Sequence, residues 1–119
     1  MSRYIFSALL VVCLMGVISA HKNNYVWGTH STKDVLLARE MVTRSGFFGV
    51  VTTYDYVYKA DSLTPPKISY IKITDAKPFG GATATISTGG LNTEAVSILF
   101  TSQRGFGIKS FVEIYGTPN

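Results

Sequence analysis

Short runs of β-branched and aromatic residues, separated by glycine and proline, constrain the fold of this chain more than any other feature. Residues 82–87 alternate strictly between small or aliphatic side chains and hydroxyl side chains. Residues 95–101 place Val96, Ile98 and Phe100 on one face with the same period. Because successive side chains of a strand point to opposite faces, this period of two predicts strands with one buried face.

The same reasoning predicts further strands along the chain. They cover residues 25–27, 35–42, 47–58, 68–74 and 109–115. Ser31 to Asp34 could also cap a helix over residues 35–42. We favour a strand there, with Val35, Leu37 and Met41 on one face, because the residues that follow are β-like. Six or seven short strands separated by turns predict an all-β fold, either an antiparallel β-sandwich or a small barrel.

The first residues have the features of a secretory signal peptide. Arg3 precedes an uncharged apolar run, residues 4–18, and a small residue, Ala20, ends the segment. The run is shorter than the roughly 20 apolar residues that a transmembrane helix needs. We predict cleavage after Ala20, which gives a signal peptide (1–20) and a single β domain (21–119). The protein would then be secreted to the extracellular space, and we expect no membrane contact after cleavage.

Cleavage changes the composition in ways that exclude several classes of protein. It leaves 99 of the 119 residues, removes the only cysteine, Cys13, and lowers the formal net charge from +4 to +3. A mature chain without cysteine has no disulfide, no cysteine nucleophile and no cysteine zinc site. We therefore expect aromatic side chains to fill the core. The basic residues are scattered rather than clustered, so we expect no nucleic-acid partner.

No arrangement of residues in the sequence predicts catalysis. A nucleophile elbow and a glycine-rich phosphate loop are both absent, so we expect no enzyme, no catalytic residue and no cofactor. Copper is the one metal that the sequence suggests. His21, as the mature amino terminus, offers an amine and an imidazole, and His30 offers a second imidazole. The ordinary alternative, which we prefer, is that His21 begins a polar tail, His30 lies in a loop, and no metal binds.

Two groups of residues are candidates for binding a ligand. Tyr54, Tyr56 and Tyr58 share one face of a predicted strand, where they could form a stacking platform or line a groove for a small apolar ligand. Packing in the core or in an interface is the use of this row that we favour. Gln103 and Arg104 form the second group, at the end of a strand with good core residues.

The segment after Arg104 suggests an ion-pair partner for its guanidinium group. Gly105-Phe106-Gly107 lies between two predicted strands and is typical of a hairpin turn. A tight hairpin would bring Arg104 close to Glu113 on the next strand. We expect a cross-strand ion pair between them.

A series of motifs is spread over nearly the whole mature chain. They are Val26-Trp27-Gly28, Asp34-Val35-Leu36-Leu37, Ile73-Thr74-Asp75, Gly80-Gly81, Gly89-Gly90, Ser102-Gln103-Arg104-Gly105 with Gly107-Ile108, and Val112-Glu113-Ile114-Tyr115-Gly116. In this combination they resemble the multiprotein bridging factor 2 family of insects. That family includes proteins named probable salivary secreted peptides and is related to the pathogen-response (REPAT) proteins of moth larvae. The resemblance implies no catalytic or binding residue.

The resemblance implies two different functions. The founding name of the family denotes a transcriptional coactivator that bridges a nuclear receptor to general transcription factors, whereas many members have signal peptides and occur in saliva, venom or gut. The export signal and the lack of a basic nuclear-localisation cluster favour the second function. We expect a secreted, non-enzymatic binding or effector protein of an arthropod, monomeric or dimeric, with an unknown protein or small-molecule partner. The coactivator is the alternative.

Overall fold

The computed structural model describes residues 23–118, which form seven strands. They are β1 (Tyr25–Gly28), β2 (Val35–Arg44), β3 (Thr53–Lys59), β4 (Lys67–Asp75), β5 (Thr83–Gly89), β6 (Ala95–Thr101) and β7 (Ile108–Thr117). The all-β prediction is confirmed, and the ambiguous segment 35–42 lies in a strand. Nothing helical in this part of the chain is long and apolar enough to span a membrane. The predicted signal peptide and His21 lie outside the described residues.

The strands form two antiparallel sheets that pack face to face. The four-stranded sheet has the order β1-β4-β7-β2, and the three-stranded sheet has the order β3-β6-β5. One core lies between them. The buried apolar residues are Val42, Ile68, Ile71, Ile73, Ile108, Val112 and Ile114 from the first sheet, and Tyr56, Ala84, Val96, Ile98 and Phe100 from the second, with Ala82 beside them. Since no strand hydrogen-bonds across from one sheet to the other, the fold is a sandwich and not a barrel.

Alternation along β7 places one set of side chains in the core and the other on the outer face. Val112 and Ile114 are fully buried, whereas Phe111, Glu113 and Tyr115 face outward. β7 pairs with β4 on one side and β2 on the other, so it lies in the middle of the four-stranded sheet. The faces predicted for residues 109–115 are confirmed.

The predicted face of β2 is wrong because the strand contains a bulge. The register with β7 shifts between Leu36 and Ala38, so Leu37 is an extra residue on its strand. The residues after the bulge therefore change faces relative to a regular strand. Leu37 packs against the core, but Met41 lies opposite Phe111 on the outer face and is exposed.

The predicted strand 47–58 begins only at Thr53. Residues 45–52 form a loop in which the Val50 N–H donates to the Phe47 carbonyl at 3.0 Å. Gly49 has a φ of 76°, which a glycine adopts readily, and the resulting tight turn interrupts the strand. Phe47 and Phe48 are exposed as a consequence. The expectation that aromatic side chains fill the core is therefore wrong for these two residues.

The predicted hairpin at Gly105-Phe106-Gly107 is also wrong. β6 and β7 belong to different sheets, so residues 102–107 cross from one sheet to the other. Residues 45–52 and 76–82 are crossings of the same kind. The register brings all three to one end of the sandwich, since Arg44 pairs with Ile108 in one sheet and Thr53 with Thr101 in the other. Residues 29–34, 60–66 and 90–94 lie at the opposite end.

Candidate functional site

An aromatic cluster lies on the outer face of the four-stranded sheet, where β4 meets β7. Tyr70 and Tyr115 are register partners, and their ring centroids are 5.7 Å apart with the planes tilted by 53°. His30 presents its ring edge-on to both of them, with centroid distances of 5.4 Å to Tyr70 and 4.7 Å to Tyr115. Edge-to-face contacts of this kind stabilise a fixed arrangement of rings. The cluster is therefore a preformed aromatic surface.

A turn of residues 31–34 holds His30 over this cluster. The Ser31 N–H donates to Asp34 Oδ2 at 2.8 Å, and the Asp34 N–H donates to the Ser31 carbonyl at 3.0 Å. Thr117 Oγ1 on β7 donates to Asp34 Oδ1 at 3.1 Å, which fastens the turn to the sheet. The hydrogen bond from Ser31 is the main cause that lowers the pKa of Asp34. The possible helix cap of the sequence is thus a turn that precedes a strand.

A row of charges borders the cluster. The Arg39 guanidinium on β2 lies 3.1 Å from Glu113 Oε2 on β7, and Tyr115 Oη donates to the same oxygen at 3.5 Å. Hydrogen bonding to Tyr115, and then to Glu113, raises the pKa of Arg39. Lys72 on β4 is the register partner of Glu113 on its other side. Because Arg39 already pairs with Glu113, Lys72 is the positive charge of this row that remains for a ligand.

These side chains surround an open depression of about 220 Å³. Its lining consists of His30, Tyr70, Lys72, Glu113 and Tyr115, and we call it the outer-face depression. Sites for drug-sized ligands measure roughly 300–1,000 Å³, so this one has the size for a single ring or one protruding side chain. Tyrosine faces for stacking and an exposed ammonium group suit a planar or anionic group.

The tyrosine row of β3 points the other way, toward the core. Tyr56 is only 5% exposed, and burial raises its pKa to about 12. Tyr58 packs partly against the core, and burial also raises its pKa. The Arg44 guanidinium lies 3.8 Å from the ring centroid of Tyr54, a cation–π contact at the margin of the core. Packing, the use that the sequence analysis favours, agrees with this placement.

Gln103 and Arg104 lie in the crossing between β6 and β7, away from the outer-face depression. Arg104 Nη1 donates to the Gly49 carbonyl at 2.8 Å. Gln103 Nε2 donates to the Gly81 carbonyl at 3.5 Å. The expected Arg104–Glu113 pair is wrong, because Arg104 lies in the crossing and bonds to Gly49, whereas Glu113 on β7 pairs with Arg39.

Of the residues singled out for ligands or metals that fall within residues 23–118, only His30 lines the outer-face depression. The other candidate copper ligand, His21, lies outside the described residues, so the copper hypothesis stays untested. Residues 23–118 contain no group of three or more potential metal ligands. Alternation alone could have placed Tyr115 on an outer face, but β4 has a register shift between Ile68 and Tyr70 that breaks the period of two, and its pairing with β7 carries no local signal in the sequence.

Comparison with known proteins connects this geometry to a family. The family model described as "Transcription activator MBF2" matches residues 27–116. The chain belongs to the MBF2 family. The match runs from β1 to β7, so it includes every residue that lines the outer-face depression. The resemblance inferred from the motifs is confirmed.

A curated relative adds information on where such proteins are found. It is named "Probable salivary secreted peptide" and comes from Bombus ignitus. It is 33% identical to this chain over 94 residues, which cover 78% of this chain and 69% of the relative. No solved structure matches the chain. The named relative is an insect protein described as secreted, in line with the expectation from the sequence.

Proposed function

We propose that this MBF2-family chain is a secreted, non-enzymatic binding or effector protein of an arthropod, released in saliva, venom or gut. The observation that carries the proposal is the relative named as a salivary secreted peptide, which covers most of the sandwich. Residues 1–20 support it independently, because they have the order of charge, apolar run and small residue that export signals share.

The outer-face depression supports binding as the mode of action. Tyr70 and Tyr115 offer ring faces, and the half-buried positions of both keep those rings in place. The Arg39–Glu113 pair neutralises the carboxylate at the rim, which leaves Lys72 to attract an anionic group. A ligand ring or one side chain of a protein partner would fit a space of about 220 Å³. Aromatic residues that present a large rigid area are typical anchors of binding surfaces.

The alternative function is that of a transcriptional coactivator that bridges a nuclear receptor to general transcription factors. Its support is the description of the family model, which names a transcription activator. This function requires the protein in the nucleus with residues 1–20 retained or bypassed. The two functions therefore make opposite predictions about where the protein accumulates.

The experiment that separates them follows a carboxyl-terminally tagged full chain in insect cells. We expect the tag in the medium, and we expect a matched variant that lacks residues 1–20 to stay inside the cell. Full-length protein in the nucleus, or equal export of the variant that lacks residues 1–20, would contradict the proposal. Nuclear accumulation together with binding to general transcription factors would establish the coactivator instead.

A further inference from the structure

Exposed phenylalanines are concentrated at one end of the sandwich. Phe47, Phe48, Phe79 and Phe106 are 64%, 103%, 64% and 38% exposed, and they are all of the exposed phenylalanines in the described part of the chain. All four lie in the three crossings 45–52, 76–82 and 102–107. Val50 and Val51 of the first crossing are exposed as well. We call these three loops the phenylalanine end.

The loops of the phenylalanine end are fastened to one another. The Gly105 N–H donates to the Val50 carbonyl at 2.8 Å, and the Ser102 N–H donates to the Thr52 carbonyl at 2.8 Å. The Phe106 ring rests against the backbone of Gly80, since a side chain on Gly80 would overlap the ring. These contacts connect the backbones of the loops that carry the exposed rings. Less loop ordering is then required when the rings enter another phase, which favours binding.

The charges around these rings have one sign. Arg44, Lys77, Arg104 and Lys109 lie in the loops or at the strand ends that carry them. Asp75 is the acid at this end, and it is only 1% exposed with its carboxylate bonded to backbone N–H groups.

The opposite end differs in its charge. Its loops, residues 29–34, 60–66 and 90–94, and the strand ends beside them carry three acids, Asp34, Asp61 and Glu94, and three lysines, Lys33, Lys59 and Lys67, so the two signs balance there. Its fully exposed apolar side chain is Leu63, at 101%. The combination of projecting phenylalanines with an accessible surface that is purely basic is therefore particular to the phenylalanine end.

We infer that the phenylalanine end docks onto an anionic lipid surface. Projecting aromatic side chains enter the boundary between headgroups and acyl chains, and neighbouring lysines and arginines contact anionic headgroups. The rings project from loops at one end of the sandwich, a shape that suits the deformable surface of a bilayer. The expectation of no membrane contact rests on removal of the apolar signal segment, and the predicted strand 47–58 gives no indication that Phe47 and Phe48 are exposed together. The turn at Gly49 brings them to the surface instead.

The test measures sedimentation of the full secreted chain with phosphatidylcholine vesicles that contain or lack phosphatidylserine. We expect binding to the vesicles with phosphatidylserine, and we expect it to weaken as salt is added, because salt screens exposed charges. Phe48→Ser should weaken binding about tenfold or more, as expected for the loss of one buried phenylalanine side chain. Leu63→Ser is the matched control, since Leu63 is equally exposed at the opposite end.

A second pair of variants tests the contribution of charge. Lys77→Gln should weaken binding to phosphatidylserine vesicles, whereas Lys33→Gln should leave it unchanged. Absence of binding by the unmodified chain would overturn the inference and leave the phenylalanine end as a surface for a protein partner. Equal losses in Phe48→Ser and Leu63→Ser would overturn it too. Secretion is measured separately, so either result leaves the proposed function standing.

Discussion

Asp75 is a buried carboxylate that connects three segments of the chain. It is 1% exposed, its Oδ2 accepts the Asn23 N–H at 3.1 Å, and its Oδ1 accepts the Lys77 N–H at 2.9 Å. Its own N–H donates to Asn24 Oδ1 at 2.9 Å. Gly81 packs so closely that a side chain there would overlap the carboxylate. We predict that Asp75→Ala destabilises the sandwich because two backbone donors lose a charged acceptor.

The magnitude follows from those contacts. A hydrogen bond to a charged group contributes roughly 1.5–3 kcal/mol to stability, so the loss of two predicts about 3–6 kcal/mol for Asp75→Ala. Asp75→Asn keeps one acceptor oxygen in nearly the same volume and should cost about half as much. Equilibrium unfolding in urea measures both changes. Asp55→Ala, at an exposed position on β3, serves as the control and should change the free energy of unfolding by about 0.5 kcal/mol or less.

Two results would refute this reasoning. A loss below about 1 kcal/mol for Asp75→Ala would mean that the carboxylate does not hold the segment at Asn23 or the turn at Lys77. An equal loss in Asp55→Ala would mean that removing any acid destabilises the chain. The slope of the unfolding free energy against urea should stay the same in all variants, because the surface exposed on unfolding is unchanged.

Three further predictions concern the core and the outer face. Burial favours the neutral phenol of Tyr56, so the stability that this buried side chain contributes is complete below the ordinary pKa of 10.0 and is lost as the pH rises through about 12. Between pH 9 and 12 the unfolding free energy of the wild type should therefore fall by up to about 2 kcal/mol more than that of Tyr56→Phe, as measured by urea unfolding. Ile98→Ala removes a fully buried side chain and should cost about 2–5 kcal/mol in the same assay at pH 7, and a smaller loss would contradict the assigned core. Arg39→Gln breaks an ion pair on a half-exposed arginine, so the urea midpoint should stay unchanged within error at physiological salt, and a clear shift would show a stronger pair than the geometry indicates.

The central strand β6 could be predicted from the sequence because apolar side chains occupy every second position along its buried face. Val96, Ile98 and Phe100 are buried on one face of β6, as the alternation indicates. The loop 45–52 could not be predicted in this way, since its phenylalanines and valines have the composition of a strand. The positive φ of Gly49 and the turn it permits decide the conformation there.

Local sequence patterns do not predict which strands pair with each other. β7 pairs with β4 and β2, neither of which precedes it directly in the chain. The hairpin expected after β6 assumes that consecutive strands are neighbours, and the crossing to the other sheet shows that they are not. The bulge at Leu37 likewise reverses the faces of the residues after it, and the hydrophobic pattern of the sequence does not reveal it.

The same limit applies to the candidate site. Alternation places Tyr115 on an outer face, but only the β4–β7 register, with its shift before Tyr70, puts the two rings 5.7 Å apart. His30 joins them because the carboxylate of Asp34 closes the turn of residues 31–34, directly after His30, and accepts a hydrogen bond from Thr117. A site assembled from three separate segments depends on this long-range geometry. Residue types and spacing alone indicated the tyrosines of β3 as candidates for ligand binding instead.

The intact mass and amino-terminal sequence of protein collected from the medium of expressing insect cells test the proposed function most directly. We predict a secreted product that starts at His21, within a residue or two, and lacks residues 1–20. Protein that stays inside the cell with Met1 in place would contradict secretion and favour the coactivator.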